Sequence, residues 1–289
     1  MVLEPAFATS NFIARELGCS LAGGFRQDDP AHSFLGGWAE CAEAVRAAFA
    51  PVEAYRARFG ALLAEVRGAG FEAVELWSGH LNPHWVTDQH LAIARELIDE
   101  LGLRVVGFHG YLGDSRDTAR RACRITAALG AGLLTGGGGR FLDTHHADAV
   151  AMLRDHGIRL AIENHPEHAA PAQLLADVGE SADGTIGANL DTGWWATHGQ
   201  DPVEAITALS GHLLHVQLKD VAAPGTHHPA PLGTGCVPVR DCLRALAAAG
   251  YRGAYSLEHL AADESPVAAC REARRMLVRL RSEPVTIAP

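Results

Sequence analysis

Four successive apolar runs of the sequence end in residues that can bind metals or move protons. Glu163 ends IRLAIE, Asp191 ends TIGANLD and Glu258 ends AYSLE, while His215 and Gln217 lie in HVQLKD. Carboxylates buried together repel one another, so they must either bind protons or find a cation. The pattern therefore predicts a divalent metal site, although each carboxylate taken singly could equally cap the following helix.

These residues need a scaffold that brings the ends of successive strands to one level. The predicted strands are 71–77, 103–110, 131–137, 158–164, 185–191, 212–220 and 253–259, with an eighth around PAFATSNF near the N-terminus. Segments of helical spacing separate them, and such alternation over short connections indicates parallel strands. Eight units in 289 residues predict a single (β/α)8 TIM barrel domain over 1–289, whose active site lies at the carboxyl ends of the strands. A doubly wound open sheet is the alternative fold.

The segment 12–50, after the first predicted strand, has no clear strand of its own. Long loops in compact domains often form lids or binding elements. We therefore expect either a lid over the pocket or a simple surface excursion.

Composition narrows the classes of function. The formal net charge is −10, and no Lys/Arg cluster lies outside the C-terminal helix, which argues against binding to nucleic acid. No apolar run approaches the length of a membrane span, and MVLEPAFATSNF lacks the features of a signal peptide. We expect a cytoplasmic protein without membrane partners that acts on a small molecule.

Several motifs together resemble those of a known family. They are AIENH (161–165), NLDTG (189–193), HVQLKD (215–220), GTG-x-V-P (233–238) and SLEH (256–259). With them the chain resembles the xylose-isomerase-like TIM barrels. That family comprises sugar phosphate isomerases and epimerases, hydroxypyruvate isomerase, inosose dehydratase and, more distantly, endonuclease IV (AP endonuclease family 2). The motifs are specific for the family and not for a substrate.

The resemblance implies a set of metal ligands. Glu163, Asp191 and Glu258 match the family's carboxylates, and the strand-seven position, usually a histidine, is Gln217 here, as in hydroxypyruvate isomerase-like members. We expect Gln217 to offer its amide oxygen while His215 orients the substrate or neighbouring groups; the reverse assignment stays open. Oxygen-rich coordination favours one Mn²⁺ or Mg²⁺ ion, with Zn²⁺ or Co²⁺ as alternatives.

Other residues are candidates for contacts with the substrate. Many relatives have a histidine at the position of Trp194, so this tryptophan either walls the pocket and stacks on a sugar or packs against the next helix. His80, His109, His165 and His215 are candidate substrate contacts, each with a purely structural role as the alternative. His227 is expected to be solvated. The run TGGGGR (135–140) fits no phosphate-loop pattern and indicates phosphate binding only weakly.

The resemblance implies chemistry at a carbon next to a carbonyl. We expect a metal-dependent isomerase or epimerase that forms an enediolate of a sugar or small hydroxy-ketone, with Glu163 and Glu258 as base and acid. The alternative is a lyase or dehydratase acting on a keto-sugar, inositol ketone or keto-glycoside. A sugar-binding barrel without catalysis and an endonuclease IV-like nuclease are less favoured. The carbohydrate-like substrate would be the partner, and relatives often form homodimers or homotetramers.

Overall fold

Eight parallel strands close into a barrel. The computed structural model describes residues 4–13, 43–179, 183–260 and 265–282. The barrel strands are β1 (Pro5–Ala8), β2 (Ala73–Trp77), β3 (Arg104–Tyr111), β4 (Leu133–Gly137), β5 (Arg159–Glu163), β6 (Ile186–Asp191), β7 (Leu213–Leu218) and β8 (Tyr255–Leu257). Each strand pairs with the next, and β1 pairs with both β2 and β8. The predicted (β/α)8 barrel is confirmed, and the open sheet is wrong.

Helices connect the strands on the outside of the barrel. They are α1 (Val52–Gly68), α2 (Asp88–Glu100), α3 (Arg116–Ala128), α4 (Gly139–Thr144), α5 (His146–Asp155), α6 (Pro171–Val178), α7 (Thr192–Thr197), α8 (Pro202–Ala208), α9 (Val239–Ala248) and α10 (Pro266–Ser282). Residues 43–49 are also helical, and 3-10 turns cover Thr9–Phe12 and Ser78–Leu81. Every helix in the described ranges is too short or too polar to cross a lipid bilayer.

The segment predicted as a lid or surface excursion is described only at its two ends. Phe12 and Ile13 at one end, and Val45 and Phe49 at the other, are buried in the hydrophobic core. Residues 14–42 lie outside the described ranges. The expectation of a lid therefore stays a prediction.

The barrel interior contains polar side chains as well as apolar ones. All residues of β2, β4, β6 and β8 are buried, as expected for parallel strands covered on both faces. The buried polar residues on the strands include Glu75, Thr135, Asn189, Gln217 and Ser256. Buried polar groups need hydrogen-bond partners, so these side chains must satisfy one another.

One buried carboxylate organises the loop that follows β7. Asp220 Oδ1 accepts hydrogen bonds from the backbone N–H groups of Val221 and Val237, both at 2.9 Å. Its Oδ2 accepts from the N–H groups of Gly233 and Gly235, also at 2.9 Å. A Cβ at Gly235 would lie 2.2 Å from the carbonyl oxygen of Val221. Glycine is therefore required at position 235 for the loop to close around Asp220.

We expect Asp220→Ala to lower the free energy of unfolding by about 3 kcal/mol, because it leaves four backbone donors without their acceptor. Urea unfolding followed by circular dichroism measures the change. Asp241→Ala is the matched control, since that aspartate is exposed and pairs with Arg244 at the surface. It should change stability by less than about 0.5 kcal/mol. Equal stability of the two variants would contradict the role given to Asp220.

Candidate functional site

Three carboxylates meet at the carboxyl end of the barrel. Glu163 ends β5, Asp191 ends β6 and Glu258 directly follows β8. One oxygen of each lies within 4.8 Å of the other two. In the described ranges, this group of side chains could hold a metal ion. We call it the acidic triad.

Asp191 serves two purposes with its two oxygens. Its Oδ1 caps α7 by accepting hydrogen bonds from the N–H groups of Gly193 (2.6 Å) and Trp194 (3.1 Å). Its Oδ2 is buried and has no hydrogen-bond partner among the described residues. The cap fixes the carboxylate so that the second oxygen faces the triad.

The Lys219 side chain supplies a positive charge to the triad. Its Nζ lies 3.5 Å from Asp191 Oδ2 and 3.5 Å from Glu258 Oε1. The same ammonium lies 5.0 Å from the centroid of the Trp194 ring. Burial opposes the charged form of Lys219, but the attraction of Asp191 and Glu258 outweighs it and raises the pKa. Lys219 therefore stays protonated and neutralises part of the triad's charge.

The carboxyl groups of the triad differ in acidity. Burial raises the pKa of Asp191 to about 7, although Lys219 opposes the shift and Glu258 and Glu163 add to it. Burial also raises the pKa of Glu258. For Glu163 the effect of burial is outweighed, chiefly by His165 and His109, and its pKa falls. The surroundings thus favour an ionised Glu163 beside more weakly acidic neighbours.

Two predicted substrate contacts, His109 and His165, flank Glu163. His165 Nε2 lies 3.3 Å from Glu163 Oε1, and His109 Nδ1 lies 3.5 Å from Glu163 Oε2. Burial alone would lower the pKa of His165, but Glu163 raises it to about 9. His165 is therefore a cation at neutral pH. Both histidines lie beside the triad, and their contact with a substrate stays a prediction.

Gln217 lies on β7 between the triad and the barrel interior. Its Nε2 donates to Glu75 Oε2 (3.2 Å), and its Oε1 accepts from Asn189 Nδ2 (3.1 Å). Asn189 Nδ2 also donates to Glu163 Oε2 at 3.3 Å. An amide oxygen has two lone pairs, so Oε1 can accept this hydrogen bond and still coordinate an ion.

The residues of the triad fit a divalent cation. A buried oxygen without a hydrogen-bond partner, Asp191 Oδ2, points toward two other carboxylates. Hard divalent ions prefer ligands of this kind, and the two cations beside the triad, Lys219 and His165, offset only part of the charge of three ionised carboxylates. The triad itself offers carboxylate oxygens, and His165 and His109 lie beside Glu163.

Trp194 lies beside the acidic triad and is nearly buried. It is 5 % exposed, and its ring makes edge contacts with His165 (centroids 6.3 Å apart) and His227 (5.1 Å). The structure thus shows Trp194 packed against buried histidines, while its stacking on a sugar stays a prediction. His227 is buried, so the expectation that it is solvated was wrong: the Asp220 loop folds it against Trp194.

Two other predicted substrate contacts, His215 and His80, are surrounded by buried side chains. His215 Nε2 lies 3.2 Å from Glu75 Oε1 and 3.0 Å from Ser256 Oγ. His80 is fully buried, and its ring contacts those of Phe49, Phe59 and Trp77. Contact with a substrate stays a prediction for both, since the contacts described for their rings are with other buried side chains.

The glycine-rich run after β4 is explained by chain packing. Gly136 has φ +128°, and a Cβ there would lie 2.5 Å from the carbonyl oxygen of Gly110. Gly139 has φ +68°, and its Cβ would lie 2.7 Å from the carbonyl oxygen of Gly113. The glycines therefore let the ends of β3 and β4 approach closely, and phosphate binding is not needed to account for them.

Some side chains that lie around the acidic triad were not predicted from the sequence. Asn189 and Thr135 occupy strand interiors and were not singled out. Asn189 shares a face with Asp191 two residues on, which was an available signal. Tyr111 has a ring that stacks on His165, with centroids 6.1 Å apart, and is 58 % exposed. It follows His109 by two residues at the same strand end.

The sequence is similar to those of known proteins. The family model of the xylose isomerase-like TIM barrel matches residues 63–280. A Streptomyces coelicolor protein named as a candidate hydroxypyruvate isomerase is 26 % identical over 242 residues, which are 70 % of this chain and 85 % of that protein.

Solved structures share the fold at low sequence identity. The 3-keto-D-glucoside 4-epimerase YcjR from E. coli gives a TM-score of 0.58 at 18 % identity, covering 78 % of this chain and 94 % of its own. The probable 3-DHS dehydratase AsbF from Bacillus anthracis gives 0.60 at 17 %, covering 76 % and 93 %. The IolI protein, solved with a zinc atom, gives 0.61 at 16 %, covering 80 % and 94 %. Since the family model spans most of the chain, the protein belongs to the xylose isomerase-like TIM-barrel family.

Proposed function

We propose that this protein is a divalent-metal-dependent isomerase or epimerase that moves a proton next to the carbonyl of a sugar or small hydroxy-ketone. The observation that carries the proposal is the acidic triad, in which Glu163 and Glu258 meet Asp191 within 4.8 Å at the barrel mouth. Two carboxylates of different acidity in one buried site suit the removal and return of a proton. The similarity to a candidate hydroxypyruvate isomerase supports this class of reaction.

The roles of the two glutamates follow from their surroundings. Glu163, with a lowered pKa, is ionised and takes the proton from the carbon next to the carbonyl, leaving an enediolate. Glu258, whose pKa is raised by burial, is the weaker acid of the two and is the group we assign to return a proton to the carbon skeleton. The cationic His165 and Lys219 offset the negative charge that develops on the substrate. Each proton that leaves is thereby replaced, as an isomerisation requires.

A divalent ion would be held by Glu163, Asp191 and Glu258, with the amide oxygen of Gln217 as the fourth ligand from the protein. When bound, it supplies Lewis-acid polarisation of the substrate's carbonyl and adjacent hydroxyl. The oxygen ligands favour Mn²⁺ or Mg²⁺. The zinc atom in the similar IolI structure makes Zn²⁺ the first alternative to test.

Proton exchange in deuterated water tests the proposed reaction. Hydroxypyruvate, ketopentoses and ketohexoses are incubated with the Mn²⁺-loaded protein in D2O, and deuterium at the carbon next to the carbonyl is followed by NMR. Glu163→Gln is the inactive comparison, and Glu272→Gln, at an exposed glutamate of α10, is the matched control that keeps activity. Enzyme-dependent exchange that Glu163→Gln lacks is expected. Exchange at equal rates in the wild type and Glu163→Gln would contradict the proposal.

Metal affinity should rise with pH. Asp191 has a pKa of about 7 without metal, so below this pH a bound proton must be displaced before its oxygen can coordinate. We expect the affinity for Mn²⁺ to fall by about tenfold per pH unit below 7 and to level off above about pH 8. Isothermal titration of chelator-treated protein between pH 6 and pH 8.5 measures it. A constant affinity over this range would show that Asp191 is already ionised or is not a ligand.

A lyase or dehydratase is the second candidate. Trp194 occupies the position where the resemblance to ketose epimerases implies a histidine, and it packs against Lys219 and His227. The same enediolate would then expel a β-hydroxyl or a glycosidic group instead of taking up a proton. The loss of water or of an aglycone from a keto-sugar would distinguish a lyase from an isomerase, which conserves the atoms of its substrate.

A further inference from the structure

A line of buried polar side chains crosses the barrel interior from β2 to the triad. It begins at Glu75, which is 1 % exposed. Glu75 Oε1 accepts a hydrogen bond from Thr135 Oγ1 (2.5 Å) and lies 3.2 Å from His215 Nε2, while Oε2 accepts from Gln217 Nε2 (3.2 Å). A Cβ at Gly107 would lie 3.5 Å from Glu75 Oε1 and 3.2 Å from Thr135 Cγ2, so glycine leaves room for this group.

Two amides continue the line from Glu75 to Glu163. Gln217 Oε1 accepts from Asn189 Nδ2 at 3.1 Å, and Asn189 Nδ2 donates to Glu163 Oε2 at 3.3 Å. The side-chain oxygen of Asn189, Oδ1, is buried without a hydrogen-bond partner in the described ranges. Both hydrogens of this amide are therefore directed at acceptors, and its own acceptor is left unused.

The orientation of each amide is dictated by Glu75. An ionised carboxylate offers only acceptors, so the group of Gln217 that faces it must be the NH2, and the oxygen of Gln217 must then face Asn189. An oxygen at that point requires the NH2 of Asn189, which places a donor against Glu163. We propose that Glu75 is a positioning residue that acts through Gln217 and Asn189 to direct a hydrogen-bond donor at the Glu163 carboxylate.

The consequence is a Glu163 carboxylate held from two sides. His165 Nε2 contacts Oε1 at 3.3 Å and Asn189 Nδ2 donates to Oε2, so rotation of the carboxylate would break both contacts. If the amide of Gln217 or Asn189 were rotated by 180°, the side-chain oxygen of Asn189 would come to face Glu163 and would repel its carboxylate. The inference rests on the proposed function in taking Glu163 as the base that moves the proton.

A double-mutant cycle tests whether Glu75 acts through Asn189. Glu75→Met removes the acceptor at similar volume, and Asn189→Ala removes the last donor. Each is expected to lower kcat by about 10- to 100-fold, the range known for the outer partners of metal ligands, and to leave KM nearly unchanged because neither side chain is assigned a contact with the substrate. In the Asn189→Ala background, Glu75→Met should lower kcat no further. Losses that multiply in the double variant would overturn the proposal.

A second readout does not depend on turnover. The side-chain amide signal of Asn189 in 1H–15N spectra, identified by its absence in Asn189→Ala, should shift and exchange faster with solvent in Glu75→Met. Glu72→Gln is the matched control, because this exposed glutamate precedes β2 and pairs with Arg67 at the surface. It should leave the signal in place. An unchanged Asn189 signal in Glu75→Met would overturn the proposal.

The cycle stays decisive if Glu75→Met does not fold. Glu75→Gln then replaces Glu75→Met in the cycle. Its amide offers both a donor and an acceptor, so it can pair with Gln217 in either orientation and selects neither. Glu75→Gln should lower kcat by at least about fivefold in the wild-type background and should have no further effect in the Asn189→Ala background. Wild-type turnover in Glu75→Gln would overturn the proposal. Absence of proton exchange in the wild-type protein would instead count against the proposed function, and the Asn189 signal would still test the orientation.

Discussion

Glu258→Gln is expected to lower kcat by a factor of about 10² to 10⁴ while the protein stays folded and binds metal. The amide keeps one oxygen for coordination but has no acidic proton to return to the substrate. Lys219 keeps its contact with Asp191, so the buried ammonium is not left without an opposite charge. Steady-state kinetics on the substrate found by proton exchange, together with metal analysis of the same sample, measure the effect.

The matched control for Glu258→Gln is Glu272→Gln, which changes an exposed carboxylate of α10 that pairs with Arg275. It should leave kcat within about twofold of the wild type, because surface ion pairs contribute little. Wild-type turnover in metal-loaded Glu258→Gln would show that this glutamate is not the acid.

Asp191→Asn should lower the affinity for Mn²⁺ by at least about 100-fold, since even the partners of ligands contribute 10- to 100-fold. The amide oxygen can still cap α7 through Gly193 and Trp194, so the fold is kept. Its NH2 group would take the place of Oδ2 and face Lys219 Nζ, which lies 3.5 Å from that oxygen. Isothermal titration with Mn²⁺ measures the loss.

Asp201→Asn is the matched control, because Asp201 caps α8 by accepting from the N–H of Val203 and lies outside the triad. Asparagine and aspartate cap helices about equally well, so the affinity for Mn²⁺ and the unfolding midpoint should both be unchanged. If Asp191→Asn bound Mn²⁺ as tightly as Asp201→Asn, Asp191 would not be a ligand.

The fold could be predicted because the same pattern, an apolar run followed by a helical segment, is repeated along the chain. Each apolar run and the helical segment after it form one βα unit, and the predicted strands differ from the observed ones by only a few residues at their ends. The first strand is the exception: only Pro5–Ala8 of PAFATSNF is extended, and Thr9–Phe12 form a 3-10 turn. Its side chains are buried throughout, so burial alone did not distinguish strand from turn.

The triad could be predicted for a related reason. Because parallel barrel strands end at one level, residues at the ends of β5, β6 and β8 must meet there, whatever the intervening helices do. The sequence therefore sufficed to bring Glu163, Asp191 and Glu258 together.

The hydrogen-bond network of buried polar side chains around Glu75 was harder to predict from the sequence. Glu75 lies in ELW near a strand end, and the structure buries it between Thr135, His215 and Gln217. Which interior polar groups face one another depends on strand stagger, which the residue pattern does not give. A lone carboxylate in an apolar strand did signal that partners had to exist.

Loop residues were the least predictable. His227 lies in a segment without periodicity, which is held beside Trp194 by hydrogen bonds to residues distant in the sequence. The N–H of Gly225 donates to the carbonyl oxygen of Ala196, and Thr197 Oγ1 donates to the carbonyl oxygen of Thr226, both at 2.9 Å. A local pattern does not contain such contacts.

The central claim is that the acidic triad holds a divalent metal. The most direct test is the metal content of the purified protein and of its Glu163→Gln variant. Both are loaded with Mn²⁺ and desalted, and the bound metal is measured by mass spectrometry. We expect close to one ion per wild-type chain and a large loss in the variant, since the triad then lacks one of its carboxylates. No metal in the wild-type protein under any loading condition would contradict the account and leave a barrel that binds its ligand without this chemistry.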